Sequence, residues 1–188
     1  RHTVAAARAR GHAVLAMVRR EASIPREWRG DTGLKPIVPD LGDAASEDLA
    51  THLSGTDAVI QAAATFDTDM AEADRAVVDA LLEVGATRNS PLRVIYTGGC
   101  WIYGETGDHA ACETSPQRPI PAFSWMQVSA SLLLRDPNLS CAVVHPAMVY
   151  HEDGGGVFAR MLDQAAAGLP LEVWGSIHTR WPLVHRRD

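Results

Sequence analysis

The sequence predicts an α/β protein built on a doubly wound parallel sheet with helices on both faces. Three observations support this. Short apolar runs such as "HAVLAMV", "DAVIQAAA" and "LRVIYT" have the near-continuous hydrophobicity of parallel strands, and segments of helical period separate them. The spacing between runs leaves room for the crossover that parallel strands require, and a helical crossover packs on the sheet. With 188 residues, 46% of them hydrophobic, the chain can bury one substantial core.

Ala-rich Thr3 to Arg10 reads as a helix closed by Gly11, and "HAVLAMVRR" as the first strand. "LKPIVPDLGD" is a second, shorter strand ending at Asp40, and Asp43 to Leu53 a helix with Leu49 and Leu53 on one face. "TDAVIQAAA" is the third strand. From Asp69 to Val84, the recurrence of Met70, Ala73, Val77, Leu81 and Val84 at spacings of three and four predicts a helix stopped by Gly85. Leu92 to Thr97 is the fourth strand. A long loop rich in Gly, Pro and charge follows, of the kind that covers a site. Phe123 to Arg135 reads as a helix, "LSCAVVHP" as the fifth strand, Val157 to Ala167 as a helix ending at Gly168, and "LEVWG" as a last short strand.

Charge and cysteine content exclude several classes. Lys and Arg number 17 against 23 acidic residues, a net charge of −6 that argues against a nucleic-acid partner. No apolar run approaches the roughly 20 residues of a membrane span. The three cysteines form no C-x-x-C pair, which fits a reducing cytoplasm better than a disulfide framework. "DHAAC" offers Asp108, His109 and Cys112 but no second cluster, so no metal site is expected. Cys100 has no adjacent His to activate it and reads as a small buried side chain.

In an open parallel sheet, ligands bind beyond the carboxyl ends of the strands. Those ends carry Arg19 and Arg20, Asp40 and Leu41, Ala62 to Ala64, Thr97 to Gly99, and His145 to Ala147. Small residues after the third and fourth strands allow a flat ligand to approach the backbone. The paired arginines suit a phosphate, though both also read as solvated charges flanking a strand.

At these residues the chain resembles the extended short-chain dehydrogenase/reductase family, the NAD-dependent epimerase/dehydratase group. The likeness runs through "ARGHAVLAMVRR", "DLGD", "DAVIQAAA", "RVIYTGGCWIYGE", "HPAMVYHEDGGGVFARML" and "TRWPLVHRRD", and so over essentially the whole chain. It implies a Rossmann-type domain holding NADP or NAD over residues 1–150. Residues 151–188 would begin a smaller substrate-side portion that is not a domain of its own. Members open with a strand and a glycine-rich turn that grips the pyrophosphate. "RHTVAAARARGH" instead reads as a helix already under way, so the sequence is expected to begin after that turn, and to be incomplete at its C-terminal end as well.

The resemblance also assigns residues. Arg19 and Arg20 stand where the family distinguishes its cofactors, and arginine there favours the extra phosphate of NADP over NAD. Asp40 and Leu41 match the pair beside the adenine, with helix capping as a compatible role for Asp40. Ala62, Ala63 and Ala64 match the stretch whose backbone passes the cofactor, and Thr97 and Pro146 are implied as further cofactor contacts. Arg180 matches an arginine that meets the substrate diphosphate in nucleotide-sugar enzymes, and a cation stacked beside Trp181 is the plainer reading. His145 and His151 replace the family's Arg and Gly, leaving His145 as a substrate contact or a structural histidine. Members are often dimers, which implies a homodimer through the helices Asp69 to Val84 and Phe123 to Arg135.

The family's catalytic set is a Ser or Thr near the end of the fourth strand with a Tyr and a Lys four residues apart on the next helix. A phenol with a free pKa of about 10 needs a nearby cation before it exchanges protons at neutral pH. Here Gly99 takes the Ser/Thr place, Trp125 the Tyr place and Ser129 the Lys place, and no Tyr or Lys occurs between Phe123 and Arg135. The hydroxyls left to substitute are Thr97, Tyr103 and Ser129, with Trp125 facing substrate. The sequence thus supports two readings: an NAD(P)-dependent oxidoreductase or epimerase-like enzyme on a small carbonyl or sugar-nucleotide substrate with an atypical catalytic set, or a dinucleotide-binding sensor without catalysis.

Overall fold

The computed structural model describes residues 1–39, 45–64, 70–152, 154–172, 175–176 and 178–188. In chain order the elements are α1 (His2–Ala9), β1 (Val14–Met17), β2 (Leu34–Ile37), α2 (Ala45–Leu53), β3 (Ala58–Gln61), α3 (Met70–Ala86) and β4 (Leu92–Thr97). They continue with α4 (Trp125–Arg135), β5 (Leu139–Val144), β6 (Met148–Tyr150), α5 (Ala159–Ala166) and β7 (Leu183–His185). Among the described residues all the strand pairing is parallel: β1 with β2, β4 between β3 and β5, and β6 with β7. The α/β architecture expected from the alternating runs is the one observed.

The core forms where α3 lies across β4. Val78 and Leu81 of α3 are fully buried against Leu92, Val94 and Tyr96 of β4, Leu49 and Leu53 of α2 and Leu133 of α4. β4 alternates strictly, with Leu92, Val94 and Tyr96 inward and Arg93 and Ile95 outward. Its apolar sequence therefore does not mean burial on both faces, since Ile60, Ile95 and Val144 are 47%, 41% and 49% exposed on the side away from α3.

Three expectations need correction. Helix α3 does not stop at Gly85: it runs to Ala86, and a Cβ at position 85 would lie 2.8 Å from a Leu139 methyl carbon. That glycine serves close approach between helix and strand. The buried stripe of α3 keeps Met70, Leu81 and Val84 as expected, but its middle is Asp74 and Val78 rather than Ala73 and Val77, which are half-buried. Lastly, Leu171 and Glu172 of "LEVWG" lie in no strand, and Val173 and Trp174 fall outside the described residues. The pairing in that part of the chain comes from β6 and β7, whose three-residue runs are too short for a period to show.

The register positions the site. Gln61 pairs with Tyr96 and Thr97 with Val144, so β3, β4 and β5 end level with one another. The segments that follow them, 62–64, 98–101 and 145–148, leave the sheet side by side.

Candidate functional site

Beyond these level strand ends lies a cavity of about 570 Å³, within the usual size range of small-molecule sites. Ala62 to Ala64 form one wall, Thr97 to Trp101 the floor and Pro146 to Val149 the opposite wall, while Phe123, Trp125 and Met126 close the side toward α4. The lining is mostly apolar. Its one carboxylate among the described residues is Asp74, contributed by α3 together with Met70.

The floor is shaped by two glycines. A Cβ on Gly98 would lie 2.5 Å from Nδ1 of His145, which packs directly beneath. Gly99 has an extended backbone (φ −157°) that any residue adopts, so conformation does not explain it. Space does: a Cβ there would stand 3.0 Å from Cδ1 of Trp101 and 3.7 Å from Sδ of Met126. Trp101, stacked on Phe123 with ring centroids 5.9 Å apart, thus fills the room that a hydroxyl-bearing side chain at position 99 would need. Further along the same turn, Gly104 has φ +63° and a Cβ there would collide with the carbonyl of Arg118. The Arg118 N–H donates to the Ile102 carbonyl at 2.8 Å, and this fastens the following loop over the turn.

Beside the cavity is a polar cluster that the hydrophobic pattern did not reveal. Asp74, only 5% exposed, accepts from Ser129 Oγ at 2.7 Å, from Tyr96 Oη at 3.1 Å to each oxygen, and from Gln61 Nε2 at 3.1 Å. Gln61 Oε1 in turn accepts the Ala63 N–H at 2.7 Å, so the cluster reaches the alanine wall. Burial pushes the Asp74 carboxyl up from the ordinary aspartate value, against the opposing pull of its three donors. Burial and the neighbouring carboxylate push the Tyr96 phenol up as well. The available sequence signal was a carboxylate four residues after Met70 and four before Val78, inside the buried stripe of a helix.

The predicted site residues divide into groups. Ala62, Ala63, Ala64, Thr97, Pro146 and Trp125 come together on the cavity wall. Trp125 has its indole N–H engaged, donating to the Ala122 carbonyl at 3.0 Å. Ser129 is buried behind the wall on Asp74. Tyr103 and His145 meet edge to face, with centroids 5.8 Å apart, and neither lines the cavity. Burial lowers the His145 pKa and raises that of Tyr103. Arg19 and Arg20 are exposed just past β1. Arg180 pairs with Asp108 at 2.8 Å, both well exposed and outside the cavity lining. Asp40 and Leu41 lie outside the described residues. No group of metal-ligating side chains occurs among the described residues, and no described helix is long and apolar enough to cross a membrane.

The residues present fit a nicotinamide dinucleotide in one specific respect: small side chains at 62–64 and 98–99 leave a slot against bare backbone at the level strand ends. Comparison with solved structures agrees with the fold. A dTDP-glucose 4,6-dehydratase double mutant from Streptomyces venezuelae, solved with NAD, aligns with a TM-score of 0.78 at 18% identity over 100% of this chain and 64% of that one. UDP-glucuronic acid 4-epimerase from Bacillus cereus, with NAD and UDP-glucuronic acid, gives 0.78 at 16% identity over 97% and 64%. The Bordetella bronchiseptica enzyme WbmG, with NAD and UDP, gives 0.73 at 17% over 98% and 60%. The chain thus spans less than two thirds of the length of each. No curated protein sequence matches it. The family model described as NAD(P)H-binding does match, over residues 1–169, and the chain accordingly belongs to the NAD(P)H-binding family.

Proposed function

We propose that the protein is an NAD(P)-dependent oxidoreductase of the epimerase/dehydratase type, acting on a small carbonyl or sugar-nucleotide substrate with an atypical catalytic set. One observation carries this reading: in a chain of the NAD(P)H-binding family, the small-residue slot and the cavity stand together at the level ends of β3, β4 and β5. Ala62 to Ala64, Thr97 and Pro146 would hold the dinucleotide, which when bound supplies hydride transfer. Trp101, Phe123 and Trp125 exclude water from the side where substrate would sit. Arg180 and His145 act on substrate in this reading only through movement toward the cavity, and Thr97 is the hydroxyl already on its wall.

In the same reading residues 1–150 form the dinucleotide-binding part and 151–188 begin the substrate side, and the protein works in the cytoplasm. A homodimer through α3 and α4 belongs to it as well, supported by the exposure of Val128, Leu132 and Leu134 on α4. Arg19 and Arg20 favour NADP. The substitution Arg19→Asp is expected to shift selectivity from NADPH toward NADH, and an unchanged affinity ratio would refute the assignment.

A specific observation favours the second reading, a dinucleotide sensor. The two helix positions that carry the family's Tyr and Lys hold Trp125 and Ser129, and both have their polar groups bound elsewhere in the fold. The two readings separate on the full-length protein by titration with NADPH and NADH, followed by nicotinamide absorbance with a panel of carbonyls and sugar nucleotides. Turnover supports the enzyme. Tight binding without turnover of any member of the panel supports the sensor.

A further inference from the structure

Asp74 is the one carboxylate on the cavity wall among the described residues, and its neighbours are neutral donors. We propose that Asp74 is the residue that exchanges a proton with the ligand in this cavity. The inference rests on the dinucleotide reading given above.

The geometry supports it from each packed element. β4 presents the Tyr96 hydroxyl, α4 the Ser129 hydroxyl and β3 the Gln61 amide, so both carboxylate oxygens are fixed and neither faces a cation within this cluster. The titratable groups nearby are Tyr96 and, acting on that phenol, Cys141 of β5. Burial raises the pKa of both, which leaves the carboxyl as the group whose charge changes first as pH rises. A buried carboxylate with only dipolar partners holds a proton more readily than an exposed one, and a ligand that displaces water from the cavity beside it strengthens that tendency.

With an alcohol in the cavity, its O–H bond breaks and the proton forms a new bond to a carboxylate oxygen of Asp74. The electron pair left on oxygen would form the carbonyl as the C–H hydride leaves, hydride transfer being the chemistry an oxidised nicotinamide dinucleotide would supply when bound. With a carbonyl and the reduced dinucleotide, the same atoms return. Ser129 and Gln61 are positioning residues here: they aim the carboxylate and, through the Ala63 N–H, fix the adjoining wall.

The test uses full-length protein, with NADH as the probe. Infrared difference spectra recorded during a pH titration should show the C=O stretch of a protonated carboxyl group with a midpoint above the ordinary aspartate range, and Asp74→Asn should abolish it. NADH should enlarge the band at a fixed pH near the midpoint. The ratio of wild-type to D74N affinity for NADH should then fall by up to about tenfold per pH unit above the midpoint, the slope of one linked proton. Ser129→Ala removes the shortest bond to the charged form and should move the midpoint upward, an effect that a purely structural hydroxyl would not have. A band that survives in folded D74N, or one with a midpoint at or below the ordinary value, overturns the proposal. So does an affinity ratio that is flat with pH. If NADH does not bind at all, the dinucleotide reading fails and the titration midpoint alone decides whether Asp74 holds the proton.

Discussion

Gly99 shows how a single position can carry information that the sequence states only in part. The gap left by the missing hydroxyl was legible at once in "TGGCWIYG". Its physical partner was not, because it depends on where Trp101 turns its ring. Restoring the side chain with Gly99→Ser should overpack the floor and cost about 1–3 kcal/mol, measured by urea denaturation. Trp101→Ala should relieve that cost, so the double variant is expected to be clearly non-additive. Additive losses would show that residues 99 and 101 do not compete for one space. Asp74 was illegible for a different reason. Hydrophobic periodicity marks apolar stripes, and a carboxylate within one becomes informative only when its donors, distant in sequence at Gln61, Tyr96 and Ser129, are seen to converge. Tyr96→Phe removes one of those donors and leaves the carboxylate less satisfied, at an expected cost of about 1–3 kcal/mol at neutral pH. Equal stability of the two proteins there would mean that the phenol contributes nothing net.

At the level of elements, the long periodic segments were the readable ones. α3 and β4 have enough residues for spacings of three to four, or an unbroken apolar run, to outweigh local ambiguity. Their packing makes Leu81→Ala an expected loss of about 2–5 kcal/mol in chemical denaturation, since that side chain is fully buried between α3 and its neighbours. A smaller loss would mean the site collapses around the deletion. β6 and β7 were unreadable because three residues express no period, and what holds them near one another is electrostatic as well as backbone pairing. Glu152 has its pKa held down to about 2 from 4.5, first by its own backbone N–H, then by the bond to His185 at 2.9 Å and the pairing with Arg187 at 2.5 Å. A depressed carboxyl pKa contributes stability above 4.5 that disappears as pH falls through about 2. The difference in Tm between wild type and Glu152→Gln should therefore shrink across that interval. A difference independent of pH would show that the carboxylate charge is not what these contacts use.

For the whole molecule, the sequence supports the architecture because many weak signals agree in order: apolar runs, helical spacings and small residues at strand ends. The cavity itself is a property of register. Only when β3, β4 and β5 end level do Ala62 to Ala64 and Gly98 to Gly99 become one surface, and no local pattern encodes that alignment. The central claim is that this surface receives a nicotinamide dinucleotide. Ala63 offers the most direct test, because it is exposed on the cavity wall and a larger side chain there fills the slot without disturbing the core. NADPH and NADH titrated calorimetrically into full-length wild type and Ala63→Trp should show binding to the wild type and, at unchanged Tm, a loss of about a hundredfold or more in the variant. Equal affinity in the two proteins, or no binding to the wild type, would contradict the claim.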